Sequence, residues 1–315
     1  TANQANLGDG AYQFRAVVTD PAGNSSVYTK AISVVVDNAA PTAGTLSFGE
    51  DFSDSGRTSD DIPVTTDRSF TLNLSGAADA NGVSKAYEVS TDGGQTWSAT
   101  TANQADLGDG AYQFRAVVTD PAGNSSYTAP LSVVVDNAAP TAGTLSFGED
   151  FSDSGRTTDA IPVTTDRSFT LNLTGADDAN GVSKAYEVST DGGQTWSATT
   201  ANQANLGDGA YQFRAVVTDP AGNSSYTAPL SVVVDNAAPT AGTLSFGEDF
   251  SDSGRTTDAI PVTTDRSFTL NLTGADDANG VSKAYEVSTD GGQTWSATTA
   301  NQANLGDGAY QFRAV

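Results

Sequence analysis

The strongest constraint on this chain is that it repeats itself. The segment TANQANLGDGAYQFRAV, Thr1 to Val17, returns at Thr200 and Thr299, and at Thr101 with one change, Asn6 becoming Asp106. The spacing is 100 residues, then 99, then 99; the extra residue lies in VYTKAI (Val27 to Ile32), which reads YTAPL at Tyr127 to Leu131. Residues 237–315 repeat residues 138–216 without a difference. Such a period marks a tandem array of small units, and near-identity favours a task in which copy number or length matters over one in which each unit is specialised.

The breaks fall at VVVDNAAPT, where a hydrophobic run ends in Asp-Asn and a proline follows (Asp37 to Pro41, Asp136 to Pro140, Asp235 to Pro239). Cutting there gives two complete units, 39–137 and 138–236, preceded by the C-terminal part of a unit (1–38) and followed by the N-terminal part of another (237–315). A linker of two or three residues leaves neighbours nearly touching.

Within 138–236, short β-rich runs recur between turn clusters: AGTLSF, SFTLNLTG, SKAYEVST, TWSATTA, AYQFRAVVTD and PLSVVVD. Strands at this spacing, with no sustained 3.6-residue period, predict an all-β, two-sheet sandwich of about seven strands in Greek-key order. The motif LGDGAYQF (Leu206 to Phe213, with copies from Leu7, Leu107 and Leu305) sharpens this to an immunoglobulin-like sandwich. It has the form of a tyrosine corner, in which a Tyr at the start of strand F bonds backbone upstream. In series, such units make an elongated rod.

The block STDGGQTW (Ser189 to Trp196, repeated from Ser90 and Ser288) matches the Asp-box of sialidase-like propeller blades. That motif is a hairpin device, and the arginine cluster a sialidase needs has no counterpart here, since each complete unit holds three arginines (Arg156, Arg167 and Arg214 in 138–236). Histidine and cysteine are absent, which removes the commonest general base, the thiol nucleophile and the usual zinc ligands. The chain is expected not to be an enzyme.

Acidic residues number 38 against 14 basic, a net charge of −24, so nucleic acid and anionic membranes are not expected partners. No apolar run is long enough to span a bilayer and no signal peptide is recognisable in the segment. Without a cation, units this acidic repel one another. Calcium suits them best, because it takes six to eight oxygens and this sequence offers oxygen and little else.

If the strands follow an immunoglobulin order, the BC loop (GADDANGV) and FG loop (TDPAGNSS) lie at the pole that meets the preceding unit, where the linker Asp-Asn also arrives. This predicts a cage of Asp136, Asn137, Asp178, Asn180, Asp219 and Asn223. Its counterparts are Asp37, Asn38, Asp79, Asn81, Asp120 and Asn124 at the previous boundary, and Asp235 and Asn236 at the next. Three positions are poor ligands because they change between copies: Asp177 is Ala78 in the preceding unit, Asp61 becomes Ala160, and Asp106 becomes Asn205. A second acidic cluster, Asp150, Asp153, Asp159 and Asp166, crowds the long AB segment GEDFSDSGRTTDAIPVTTD, expected at the opposite pole and costly to order unless a cation gathers it.

The stretches VTDPAGN, DSGRTTDAI and VVVDNAAP together resemble the bacterial immunoglobulin-like repeats of giant adhesins, the type I-secreted RTX and biofilm-associated adhesins of Gram-negative bacteria. The resemblance covers the whole chain. It implies a secreted, cell-surface location, and a structural extender that projects distal binding domains. It also implies a monomeric rod whose partners are its own neighbouring repeats, with several calcium ions, mainly at the junctions. The ligands it implies are Asp120, Asn124, Asp219 and Asn223 in VTDPAGN, Asp153, Asp159, Asp252 and Asp258 in DSGRTTD, and Asp136 and Asp235 in VVVDN. The competing expectation is that each copy itself grips glycan, protein or ice, through a patch such as Trp196 with Tyr186.

Overall fold

The computed structural model describes residues 3–155, 158–254, 257 and 259–315, and every regular element among them is a strand. Residues 1–38 contribute one antiparallel hairpin, β1 (Gly10–Phe14) with β2 (Ile32–Val36). Residues 39–137 form β3 (Thr45–Phe48), β4 (Val64–Thr65), β5 (Leu72–Ser75), β6 (Ser84–Ser90), β7 (Ser98–Thr100), β8 (Gly110–Thr119), β9 (Ser125–Tyr127) and β10 (Leu131–Val135). One sheet runs β4-β10-β8-β6-β7 with β9 also on β8; the other pairs β3 with β5. The chain at Ala102 to Gln104 extends the second sheet, through a Thr71–Asn103 bridge and backbone bonds from Leu72 to Ala102 and from Gln104 to Phe70. Residues 138–236 repeat this order strand for strand, from Thr144–Phe147 to Leu230–Val234.

The alternation in β8 explains the sandwich: Phe114, Ala116 and Val118 are 0% exposed, while the residues between them face away from the core. From the facing sheet Leu46, Phe70 and Leu72 close the core, and Val133 of β10 joins them. Phe70 is the hub. Its ring meets Phe48, Phe52 and Phe114 edge to face at 5.4, 5.3 and 5.9 Å, the arrangement that aromatic quadrupoles favour.

The segment read as one long AB loop holds a strand of its own. Val64 and Thr65 lie parallel to β10 (Val64 opposite Val134), so the chain leaves β3 in one sheet and crosses to the other before returning as β5. This gives each complete unit eight strands instead of about seven. A ring helps hold the loop: Phe52 stacks on Phe48 at 4.1 Å and reaches the core.

Both motif readings have structural counterparts. The Tyr112 hydroxyl donates to the Gly108 carbonyl at 2.9 Å, and Tyr12, Tyr211 and Tyr310 do the same to Gly8, Gly207 and Gly306. In the STDGGQTW hairpin, Gly93 and Gly94 adopt φ of 72° and 86°, which only glycine takes at little cost. Asp92 then accepts from the amides of Gln95 and Thr96 and the hydroxyls of Ser90 and Thr96. These bonds, led by the Thr96 hydroxyl, lower the Asp92 carboxyl to about 2. The Trp97 indole donates to Gly94, so every part of the motif is consumed by its own turn.

Candidate metal centre

The linker, the BC turn and the FG turn converge as the strand order requires. Asp136, Asp178 and Asp219 each place a carboxylate oxygen within 4.8 Å of the others, and Asp37, Asp79 and Asp120 do the same one repeat earlier. Asp136 sits one residue past β10, and its amide donates to Thr65 of β4 at 2.8 Å, which ties it to the preceding repeat. Asp219 ends its strand as the hub of a tight turn. Its Oδ1 accepts from the amides of Gly222 and Asn223 at 2.8 and 2.9 Å, and its Oδ2 from Asn223 Nδ2 at 2.8 Å. Asp178 accepts from the Asn180 amide at 2.8 Å.

The asparagines divide into two groups. Asn180 Nδ2 donates to Asp136 Oδ2 at 2.7 Å, and Asn223 Nδ2 donates to the Asp136 carbonyl at 3.0 Å. Asn81 and Asn124 hold Asp37 in the same way, and Asn279 holds Asp235. These side chains reach the carboxylate group but present nitrogen to the linker, which makes them clips in the geometry seen. Asn38, Asn137 and Asn236 instead turn back to the preceding repeat, donating through both amide nitrogens to Asp9, Asp109 and Asp208. These N–H groups cap the last turn before the cage. Sequence reasoning passed over Asp9, Asp109 and Asp208, although their place in LGDG beside the tyrosine corner recurs in every copy.

No described ion pair reaches either triad; those among the described residues join Arg57 to Asp60 and three arginines to glutamates. Asp136 and Asp219 are buried. At about 4.8 Å and an effective dielectric near 20, each carboxylate pair repels by roughly 3 kcal/mol. Around Asp120 burial pushes the carboxyl up, yet bonds from Asn124 and Gly123 outweigh it and hold the group below its ordinary value. The ionised form is therefore favoured, and an all-oxygen donor set with surplus negative charge fits a hard cation such as calcium.

In the second cluster, two carboxylates serve the loop itself. Asp166 accepts from the amides of Ser152 and Ser168, and Asp150 accepts from Thr170, so both tie the loop to its own backbone or strand. Among the described residues, Asp153, Asp159 and Asp166 form no acidic group of three with ligand atoms within 4.8 Å. Oδ1 of Asp153 and of its counterpart Asp54, and Oδ2 of Asp60, are nevertheless buried without a hydrogen-bond partner. Asp258 and Arg156 lie outside the described residues. Of the pair Trp196 and Tyr186, Tyr186 packs on the core, while Trp196 and the exposed Tyr226 both stack against Arg214, at 4.2 and 4.3 Å.

A search of curated proteins returns no match. Similar solved structures include the fibronectin(III)-like modules of Clostridium thermocellum CbhA (14% identity, TM-score 0.28, covering 60% of this chain and 94% of that one). A second is the FN1–FN3 domains of chicken CNTN1 (10%, 0.27, 87% and 92%). A third is a structure from a study of host cell surface retention of a 1.5-MDa bacterial ice-binding adhesin (14%, 0.28, 78% of each). A BNR/Asp-box repeat model matches residues 286–297, which is the hairpin described above. One bacterial Ig-like domain model matches residues 4–38, and another matches 43–137 and 142–236, more than half of the sequence. The chain belongs to the bacterial Ig-like domain family.

Proposed function

We propose that the chain is the extender of a large bacterial surface adhesin, a non-enzymatic rod that carries distal binding domains away from the cell. In this reading calcium stiffens it where repeats meet. The observation that carries the reading is the recurrence of the carboxylate triad, Asp37, Asp79 and Asp120 and then Asp136, Asp178 and Asp219, at the start of each complete repeat. One carboxylate of each triad follows the last strand of one repeat and the other two belong to the next. A divalent ion there would offset like-charge repulsion and couple the two bodies; binding only the ordered junction, it would also stabilise the fold by linkage. With β8 ten residues long, each added copy extends the rod by roughly 35 Å.

An RTX-type, type I-secreted, biofilm-associated adhesin at the cell surface is the setting that suits such a rod. The alternative, in which the repeats themselves bind glycan, protein or ice, calls for a flat aromatic or Thr-rich face, and Tyr186, one of the pair considered for it, packs on the core. Small-angle scattering of the full chain with and without millimolar calcium tests the proposal. A longer, better defined particle in calcium is expected. Identical scattering curves in calcium and chelator would remove calcium stiffening.

A further inference from the structure

The triad is one side of the junction; the other side makes contacts that need no ion. In the loop between β3 and β4, Ser55 Oγ donates to the Ala221 carbonyl at 2.8 Å, and the Arg57 amide donates to the Pro220 carbonyl at 2.8 Å. Gly56 lies between them so close to Pro220 that an added Cβ would collide with its carbonyl oxygen, and a Cβ on Gly222 would come within 3.1 Å of the Ser55 carbonyl oxygen. The loop of one repeat thus seats on the FG turn of the next through backbone groups and small residues.

The molecule contains its own control. The turn at Pro121 to Gly123 has the same sequence as that at Pro220 to Gly222, but residues 1–38 contain no counterpart of the loop that would cover it. Pro220 and Ala221 are buried, Ala221 at 0% exposure, whereas Pro121 and Ala122 are exposed. A groove of about 280 Å³ lies beside the open turn, lined by Val35, Asp37, Asn81, Pro121 and Ala122. One bond at the base of the loop recurs in all three copies. Ser55 Oγ accepts from the Thr66 amide at 2.8 Å, Ser154 from Thr165 at 2.8 Å, and Ser253 from Thr264 at 2.7 Å; among the described residues the first of these loops meets a following FG turn.

We propose that the loop Asp54 to Arg57 and the turn Pro220 to Gly222 act as a clasp, a donor loop at one pole and an acceptor turn at the other, which docks consecutive repeats of this sequence without metal. A loop whose base is already held by its own repeat loses less conformational freedom on docking, and the short linker keeps its target at high effective concentration. The clasp and the triad hold the same two repeats by different chemistry, so the inference stands or falls apart from the calcium reading.

The chain has no cysteine, so exposed Ser98 and Ser197 can be replaced (Ser98→Cys, Ser197→Cys) to place one spin label on each complete repeat. Electron–electron distances are then measured in chelator. A narrow distribution is expected, at least twofold broader after Gly56→Ala or Ala221→Leu, and unchanged after Ala122→Leu, which makes the same replacement on the uncovered turn. Unchanged melting temperatures would show that the variants still fold. A distribution already broad in chelator before any substitution overturns the clasp, as does one that stays narrow in both Gly56→Ala and Ala221→Leu. A narrow, Gly56-dependent distribution with no response to calcium would retain the clasp while removing the metal.

Discussion

The boundaries at Asp37 and Asp136 share their loop sequences, and both bring three carboxylates together. They differ in what stands behind the FG turn: the loop around Gly56 covers Pro220 and Ala221, whereas among the described residues no loop covers Pro121 and Ala122. The comparison separates two properties that sequence identity would merge. The acidic group is built by the linker and the repeat that follows it, so it forms at either boundary. The cover needs the body of the repeat before.

The comparison can be broken most forcefully in the cores, where the two complete repeats should be equivalent. Phe70→Ala and Phe169→Ala each remove the aromatic hub of a core, and each is expected to cost about 3–5 kcal/mol. Urea unfolding of the two variants measures this, and clearly unequal losses would show that junction contacts feed into core stability.

The next effect sharpens the boundary itself. With calcium in hundredfold excess over its dissociation constant, each occupied site is expected to add about 2.7 kcal/mol. Asp120→Ala should abolish the gain at the first boundary and Asp219→Ala at the second, each leaving the other intact. Calorimetric melts with and without calcium read this directly. A chain whose melting ignores calcium would leave both triads as solvated surface.

Smaller still are the tyrosine corners. Tyr112→Phe and Tyr211→Phe each delete one hydroxyl bond to backbone, with an expected loss of about 1 kcal/mol, alike in both repeats. A loss well above this in one repeat alone would place the corner in the junction.

The smallest effect is set by acid. Asp92 and Asp290 are lowered to about 2 by bonds from the hydroxyls and amides of their own turns. A depressed carboxyl favours the folded state above its ordinary value of 3.8, and that contribution is lost as pH falls toward about 2. Melting temperature should therefore hold level from neutrality to near pH 4 and then drop, and Asp92→Asn should make the drop shallower. An equally steep drop in Asp92→Asn would assign acid sensitivity to other carboxylates.

Much of the fold was legible because its signals are local. The alternation of AYQFRAVVTD, the Gly-Asp-Gly before Tyr112 and the Asp-Gly-Gly hairpin each act within a few residues. Of the triad, Asp136, Asp178 and Asp219 followed from loop order alone. Comparing copies also helped: position 78/177 varies freely because its backbone, not its side chain, bridges Thr42 or Thr141. Position 106/205 accepts Asp or Asn because it sits at φ of 53° or 54°, a conformation those two residues tolerate best after glycine.

The sequence by itself determined the repeat, the all-β character, the tyrosine corner and the surplus of acidic oxygen, since these depend on periodicity and composition. Only the tertiary structure decided which polar groups meet. Two buried residues, Val64 and Thr65, are too short a run to read as a strand until β10 lies beside them. Asn137 reads as a cage residue from loop order, and only the fold brings it to Asp109 at 3.1 Å. Gly56 looks like any turn glycine until the next repeat's Pro220 carbonyl arrives against it. Each of these is a contact between segments distant in the chain, and the free energy of such contacts depends on geometry that no local pattern encodes.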